Sequence, residues 1–148
     1  MYEGGTFIID IVIPPDYPYK PPRMKFDTKI WHPNVSSQTG AICLDILKDE
    51  WSPALTIRTA LLSLQALMCS PEPDDPQDAV VASQYKRNFP EFEVNARQWT
   101  REYAKDISEV REEQVKRLVE MGFDVEVVRN ALERAGWDEA TAINSLLG

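Results

Sequence analysis

Alternating apolar and polar side chains predict two β-strands near the start of the chain. Between residues 6 and 13 every second side chain is apolar, which predicts a strand with one buried face made of Phe7, Ile9, Ile11 and Ile13. Residues 23–28 alternate again, after a proline-rich stretch at residues 14–22. Because proline cannot donate to a sheet ladder, that stretch is predicted to be the turn between the strands. The pattern predicts part of an antiparallel meander.

Helical spacing of apolar residues begins after an irregular segment at residues 31–53. Thr56 is a suitable N-cap for a helix that ends before Pro71. The predicted apolar stripe of this helix is Ile57, Ala60, Leu61, Leu64 and Met68.

Two further helices are predicted before the tail of the chain. Asp75 followed by Pro76 has the composition of a helix start, so a helix is predicted from there to about Asn88. The next helix, after Pro90, carries its apolar residues on one side: Phe92, Ala96, Trp99 and Tyr103. Strands followed by helices predict an α+β domain.

The tail at residues 109–148 has the pattern of three short amphipathic helices. Gly122 and Gly136 lie where helices would end, and Asp124 and Asp138 lie where the next would begin. The apolar positions are Val115, Leu118, Val119, Val128, Ala131, Leu132, Ala140, Ile143 and Leu147. The pattern predicts a small three-helix bundle, with the domain boundary at about residues 104–109.

Composition and charge argue against several classes of function. The 148 residues carry a formal net charge of −8, spread over both domains, so direct binding to nucleic acid is not expected. The apolar runs are too short to span a membrane and the N-terminus lacks a secretory signal, so a cytosolic or nuclear protein without membrane partners is expected. One histidine and two cysteines are too few for a closed zinc site, so no metal is expected.

Four short motifs follow one another at close spacing in the first domain: His32-Pro33-Asn34, then CLDIL at 43–47, WSPAL at 51–55 and PDDP at 73–76. In this order they resemble the catalytic domain of ubiquitin-conjugating enzymes, over residues 1–106. In residues 109–148, the loop Met121-Gly122-Phe123 is similar to the signature loop of ubiquitin-associated domains. The chain thus resembles the class II conjugating enzymes, which join both domains.

Cys43 is the candidate nucleophile of this domain. A cysteine thiolate is a strong nucleophile and a good leaving group, which suits a residue that accepts and releases an acyl chain. A cysteine is more often a small buried hydrophobic residue, and this interpretation is kept for Cys69 at the apolar end of its helix. The resemblance implies that Cys43 takes ubiquitin from the activating enzyme as a thioester and passes it to a lysine, building polyubiquitin chains. It implies no cofactor, because ATP is used by the activating enzyme.

Asn34 and His32 are the polar residues nearest the nucleophile in the motifs. The resemblance implies that the Asn34 amide stabilises the oxyanion formed when the thioester is attacked. An asparagine in a turn also commonly holds the backbone of its own loop, and both roles are compatible. His32 in a His-Pro-Asn turn is interpreted as structural, although a cysteine–histidine protease pair is the alternative.

Two acidic residues are candidates for handling the incoming lysine. Asp75 matches the family's acidic gate, which orients the amine or accepts its proton. On sequence alone Asp75 is equally well explained as a helix N-cap. Asp45 is a weaker supporting acid.

Three binding surfaces follow from the resemblance. Tyr19, Pro53 and Ala54 match the loops that dock RING or HECT ligases. Leu62 falls on the helix face that holds the donor ubiquitin, with a core position as its alternative. In the tail, the residues implied to contact ubiquitin are Met121, Gly122, Phe123, Leu146 and Leu147, although packing within the bundle is at least as good an explanation for Phe123.

The chain departs from the family's pattern at its start. It begins at Met1-Tyr2-Glu3-Gly4-Gly5, where the family has a preceding helix and first strand. The strand at residues 6–13 is therefore expected to have an unpaired edge. Because the resemblance implies that this helix docks the activating enzyme, the alternative function is a catalytically impaired module that binds ubiquitin or ligases. A carrier of another ubiquitin-like modifier is disfavoured by the tail.

Overall fold

The structure is a computed structural model that describes residues 1–148. It divides into two compact units, Met1–Ala104 and Lys105–Gly148, so the division falls at the start of the interval predicted from the sequence. The first unit contains a small antiparallel sheet and three α-helices, and the second unit is entirely helical. The predicted fold class, α+β with a three-helix bundle, is confirmed.

The sheet of the first unit has two strands, β1 (Ile9–Val12) and β2 (Arg23–Phe26). They pair antiparallel with Ile9 opposite Phe26, and the proline-rich stretch forms the turn between them as predicted. The meander continues only as isolated bridges, which pair Lys25 with Ala41 and Val35 with Ile42. The sheet has the order β1-β2, so β1 pairs along one edge only.

One face of the sheet packs on helix α1 (Ile57–Cys69), which Thr56 caps by accepting a hydrogen bond from the backbone N–H of Thr59. The buried face of α1 consists of Ala60, Leu64 and Leu67. The predicted stripe was wrong in one respect, because Leu61 is 39% exposed and Leu67 takes its place in the core. The core of this region contains Met24, Phe26, Ile30, Val35, Ile42, Leu44, Ala60, Leu64 and Leu67.

Helix α2 (Ala79–Arg87) starts later than predicted, since its N-cap is Asp78 and not Asp75. The Asp78 carboxylate accepts from the backbone N–H groups of Val80 and Val81, whereas residues 73–78 remain a loop of turns and bends. The prediction that Asp75 caps this helix is therefore wrong. Its end at Asn88 is confirmed.

Helix α3 (Phe89–Tyr103) is capped by Asn88 and contains Pro90 in its first turn. Phe92 and Ala96 are fully buried against Val81 of α2, as the predicted apolar side of α3 requires. Tyr103 lies at the edge of this face and is 38% exposed. Helices α2 and α3 thus form a second core cluster in the first unit.

The second unit consists of α4 (Ile107–Glu120), α5 (Val125–Arg134) and α6 (Glu139–Leu147). The predicted caps are confirmed, because Asp124 and Asp138 accept hydrogen bonds from the first turns of α5 and α6. Gly122 and Gly136 have positive φ angles of 104° and 61° just past the ends of α4 and α5, a conformation that glycine adopts at little cost.

The buried face of α6 differs from the predicted one. Ala142 is fully buried and Ile143 and Leu146 pack beside it, whereas Ala140 is exposed and Leu147 is 70% exposed. Val119 of α4 is also at the surface. The core of this unit is Val115, Leu118, Val128, Ala131, Leu132 and Ala142.

No helix of the structure combines the length and the apolar character needed to cross a membrane. No three His, Cys, Asp or Glu side chains are grouped so that they could hold a metal ion.

Candidate active site

The Cys43 thiol is held at the surface by its two buried neighbours. Ile42 and Leu44 are each only 9% exposed and belong to the core, and the chain is extended at Leu44. Since successive side chains of an extended segment point to opposite sides, Cys43 is directed away from the core and is half-buried. The backbone N–H of Cys43 donates to the carbonyl oxygen of Asn34 at 2.9 Å, which fixes the segment.

Gly40 allows this segment to lie close to strand β2. Its φ of +75° lies in the left-handed region, and its carbonyl accepts from the N–H of Phe26 at 2.9 Å. A Cβ atom at Gly40 would lie 2.0 Å from the carbonyl oxygen of Phe26. Only glycine fits this approach, so Gly40 sets the path of the chain toward Cys43.

Two oppositely charged side chains contact the thiol. The Cys43 thiol donates to Oδ2 of Asp75 over 3.7 Å, and Nζ of Lys48 donates to Cys43 Sγ over 3.6 Å. The structure therefore brings together Cys43 and Asp75, which were both predicted for the site. Lys48 was missed by the sequence interpretation, although its place five residues after Cys43, past one short turn, was a usable signal.

The Asn34 side chain holds the loop that carries Asp75. Its Nδ2 donates to the carbonyl oxygens of Glu72 and Asp75, each at 2.9 Å, and its Oδ1 accepts from the N–H of Glu72 at 2.8 Å. Asn34 is 1% exposed, and both of its amide hydrogens have partners. The loop-holding role is therefore visible here, and the oxyanion role stays a prediction that requires the amide to exchange a partner.

Asp78 fixes the other end of the same loop. Its Oδ2 accepts from the hydroxyl of Ser37 at 2.6 Å and from the Ser37 N–H at 3.0 Å, in addition to capping α2. Burial raises the pKa of the Asp78 carboxyl, but the hydrogen bonds from Ser37 and from the first turn of α2 outweigh it and hold the pKa below its usual range. The sequence interpretation missed this residue because Asp75-Pro76 looked like the helix start.

His32 is part of the scaffold and not a partner of the thiol. It is fully buried, and its Nδ1 accepts from the N–H of Asn34 at 3.0 Å, which leaves Nε2 to donate to the carbonyl oxygen of Leu67 at 3.0 Å. Burial lowers the pKa of His32 to about 4, so the ring is neutral at neutral pH. Both ring nitrogens are occupied away from Cys43, so the cysteine–histidine protease alternative is wrong.

Asp45 lies at the start of the 3-10 helix Asp45–Leu47, two residues after the nucleophile. Its Oδ1 accepts from the N–H of Ile46 at 2.7 Å, so one of its oxygens is used locally. No contact between Asp45 and the thiol is formed.

Cys69 differs from the expectation that it is a core residue. It is exposed at the last position of α1, because the buried face of that helix passes through Leu64 and Leu67 and leaves residue 69 on the opposite side. The chain therefore has two accessible thiols, and only Cys43 has charged side chains in contact with it.

The residues predicted to bind ligases are exposed on two loops that the structure ties together. Tyr19 is 79% exposed, and Pro53 and Ala54 are exposed on the other loop. The indole N–H of Trp51 donates to the carbonyl oxygen of Pro18 at 2.8 Å, which connects the loops.

The residues predicted to bind ubiquitin fall into two groups. Leu62 of α1 is 56% exposed, which rules out its alternative as a core residue. In the second unit Met121 is 58% exposed and lies next to Gly122, whereas Phe123 and Leu146 pack against the core of the bundle. Of the predicted residues of this unit, Met121 and Leu147 are therefore the ones whose apolar side chains are most exposed to a partner.

Comparison with known proteins identifies both units. Residues 1–100 match the family model described as ubiquitin-conjugating enzyme, and residues 110–146 match the model described as UBA/TS-N domain. Among curated proteins, ubiquitin-conjugating enzyme E2 27 of Arabidopsis thaliana is 62% identical over 145 residues, covering 98% of this chain and 74% of that protein. Human ubiquitin-conjugating enzyme E2 K is 54% identical over 148 residues, covering 99% of this chain and 74% of that protein.

Solved structures give the same result for the first unit. The E2 domain of a Toxoplasma gondii ubiquitin conjugating enzyme is 70% identical, with a TM-score of 0.69, and the match covers 70% of this chain and 72% of that one. A match at this identity supports more than a shared fold. The chain therefore belongs to the ubiquitin-conjugating enzyme family, in the class that carries a ubiquitin-associated domain after the catalytic one.

Proposed function

We propose that Cys43 carries ubiquitin as a thioester and passes it to a lysine amine. The observation that supports this most directly is a half-buried thiol with the Asp75 carboxylate at 3.7 Å and the Lys48 ammonium at 3.6 Å. In the first step the Cys43 sulfur attacks the thioester on the activating enzyme, forms a new carbon–sulfur bond, and releases the activating enzyme's thiol. Nζ of Lys48 donates a hydrogen bond to the sulfur that attacks.

In the second step an acceptor lysine attacks the carbonyl carbon and Cys43 leaves as a thiolate. The amine must first lose a proton, and its reference pKa of about 10.4 makes the free amine scarce near neutral pH. We infer that Asp75 holds the ammonium and receives its proton. Two observations support this: its Oδ2 lies 3.7 Å from the Cys43 sulfur, and Asp78 caps α2 in its place, so the Asp75 carboxylate is not used in a helix cap. Lys48 stabilises the departing thiolate.

The partners of this reaction are ubiquitin, the activating enzyme and RING or HECT ligases that dock on Tyr19, Pro53 and Ala54. The second unit holds a ubiquitin through Met121 and Leu147, which favours building of polyubiquitin chains and thereby proteasomal degradation of the substrate. The reaction uses no cofactor of its own, since ATP is consumed by the activating enzyme, and it takes place in the cytoplasm or nucleus.

A charging assay tests the proposal. The chain is incubated with activating enzyme, ATP and ubiquitin and analysed on a non-reducing gel, where we expect a band shifted by one ubiquitin that disappears on reduction. Cys43→Ala should abolish the band and Cys43→Ser should give a band that resists reduction, because an oxygen ester forms. Cys69→Ala is the matched control and should charge normally.

Absence of the band in the unaltered chain would refute the carrier function. Ubiquitin binding is measured separately by NMR titration of the full chain, with signals of Met121 and Leu147 expected to shift. Binding without charging would support the alternative in which the chain is a binding module only.

A further inference from the structure

A cavity with a volume of about 530 Å³ lies between the proline-rich turn and the segment that follows Cys43. Its walls include Pro14, Pro21 and Ile42, and three cationic side chains line it: Lys20, Arg23 and Lys48. The volume is in the range of pockets that hold small ligands or a few peptide residues. The function proposed above assigns no role to this cavity.

The charges in the cavity do not balance. Asp16 is the single acidic residue among its lining residues, and it is already paired with Lys20, at 2.9 Å from Nζ to Oδ2. Arg23 and Lys48 form no ion pair within the chain. Three cationic side chains and one carboxylate give the lining a net charge of +2, in a chain whose net charge is −8.

The cavity lies next to Cys43, the residue proposed to carry the acyl group. Lys48 lines the cavity and its Nζ also lies 3.6 Å from Cys43 Sγ, and Ile42 precedes the nucleophile in the chain. An anionic group bound here would therefore lie beside the thioester. Arg23 is exposed at the start of β2, and a guanidinium binds a carboxylate through two parallel hydrogen bonds.

We propose that this cavity selects acceptor lysines that have an acidic side chain close by in the same polypeptide. The carboxylate binds Arg23, with support from Lys48, while the lysine reaches the thioester on the side of Asp75. The proposal rests on the proposed carrier function, and it adds a class of substrate to it.

The test compares two peptides that differ only by Glu against Gln beside a single lysine. The chain is charged with ubiquitin, the activating enzyme is stopped, and loss of the thioester is followed over a single turnover. We expect the Glu peptide to react roughly three- to tenfold faster than the Gln peptide, the range for one partly exposed charge-assisted contact. In Arg23→Gln this ratio should fall to about one, and in Arg23→Glu it should fall below one.

Lys25→Gln is the matched control, because Lys25 is exposed two residues along the same strand but does not line the cavity. It should keep the preference. Equal rates for both peptides, or an equal loss of preference in Arg23→Gln and Lys25→Gln, would overturn the proposal and indicate only a general effect of charge.

A second measurement does not depend on charging. NMR titration of the uncharged full chain with the Glu peptide should shift the signals of Arg23, Met24 and Ile42, and the Gln peptide should shift them less at equal concentration. If no thioester forms but these signals shift, the carrier function fails and the cavity is still an acidic-peptide site. If the chain charges and the signals do not respond, the cavity proposal fails alone.

Discussion

The Oδ2 atom of Asp75 lies 3.7 Å from the Sγ atom of Cys43, on the loop that precedes α2. The loop is held by Asn34 at one end and by the Ser37–Asp78 contact at the other. The Asp75 carboxylate thus does not cap α2, and it contacts the Cys43 sulfur, the atom proposed to carry the acyl group.

Asp75→Asn should slow the transfer of ubiquitin from the thioester to lysine without slowing formation of the thioester. Charging should be preserved, since it needs no proton acceptor for a lysine, whereas discharge onto free lysine should slow by roughly tenfold or more. Single-turnover discharge at neutral pH measures this. Asp74→Asn is the control, because Asp74 is adjacent and acidic but contacts Lys86 instead of the thiol. Equal slowing in both variants would show that only local charge matters.

Asn34→Ala should show which of its two roles dominates. The amide makes three hydrogen bonds to Glu72 and Asp75, so its loss should release the loop and slow discharge onto lysine by roughly tenfold. Alkaline hydrolysis of the thioester uses hydroxide and needs no Asp75. If Asn34 acts through the loop, hydrolysis should change by less than about twofold, whereas a donor to the oxyanion would slow both reactions by about 10²-fold or more.

Much of this architecture could be predicted from local pattern, because caps and apolar spacing are local properties. Thr56, Asp124 and Asp138 cap the helices as predicted. The local sequence could not decide whether Asp75 or Asp78 caps α2. Pro76 favours Asp75 as the cap, whereas the contact of Asp78 with Ser37, which is distant in sequence, stabilises Asp78 in this role. The prediction of the buried face of α6 was wrong for a similar reason. In a short helix with small residues several faces are apolar enough to be buried, and packing against α4 and α5 buries the one with Ala142.

The site was predictable by residue type and not by geometry. Motif order predicted Cys43, Asn34 and Asp75 as site residues, and the structure brings them together. The contact of Lys48 with the thiol could not be predicted, because it depends on the tight turn after Leu44. Cys69 was misplaced because Leu67 and Met68 beside it are apolar, while its angular position on α1 points outward. Distances and exposure depend on packing between segments far apart in sequence.

Gly40→Ala should destabilise the first unit strongly. A Cβ atom would meet the Phe26 carbonyl oxygen at 2.0 Å, and the φ of +75° is unfavourable for alanine. We expect a loss of roughly 3 kcal/mol or more in the free energy of unfolding, measured in urea by the NMR signals of residues 1–104. Gly4→Ala is the matched control, with a φ of +78° but no atom within 4 Å, and should cost only about 1 kcal/mol. Similar losses in the free energy of unfolding for Gly40→Ala and Gly4→Ala would show that the positive φ angle, and not the close approach to Phe26, causes the destabilisation.

The stability of the first unit should fall as the pH drops from 7 to 5, through His32. Burial lowers the pKa of His32 from 6.5 to about 4, so in this range the unfolded chain binds a proton that the folded chain does not. The free energy of unfolding therefore rises with pH across this window, and the contribution of His32 is fully present above the unfolded pKa of the imidazole. The expected difference in the free energy of unfolding between pH 7 and pH 5 is about 2 kcal/mol.

Urea unfolding at a series of pH values, followed by amide signals of the first unit, measures the pH dependence attributed to His32. His32→Gln should lower stability at pH 7, because the hydrogen bond to Leu67 is changed, and it should remove this part of the slope, so the difference between the two proteins should shrink toward pH 5. Carboxylates that titrate below pH 5 contribute equally to both proteins, so the difference between the two curves isolates the imidazole. An unchanged slope in His32→Gln would mean that the ring accepts a proton in the folded state, which is incompatible with its bond from the Asn34 N–H.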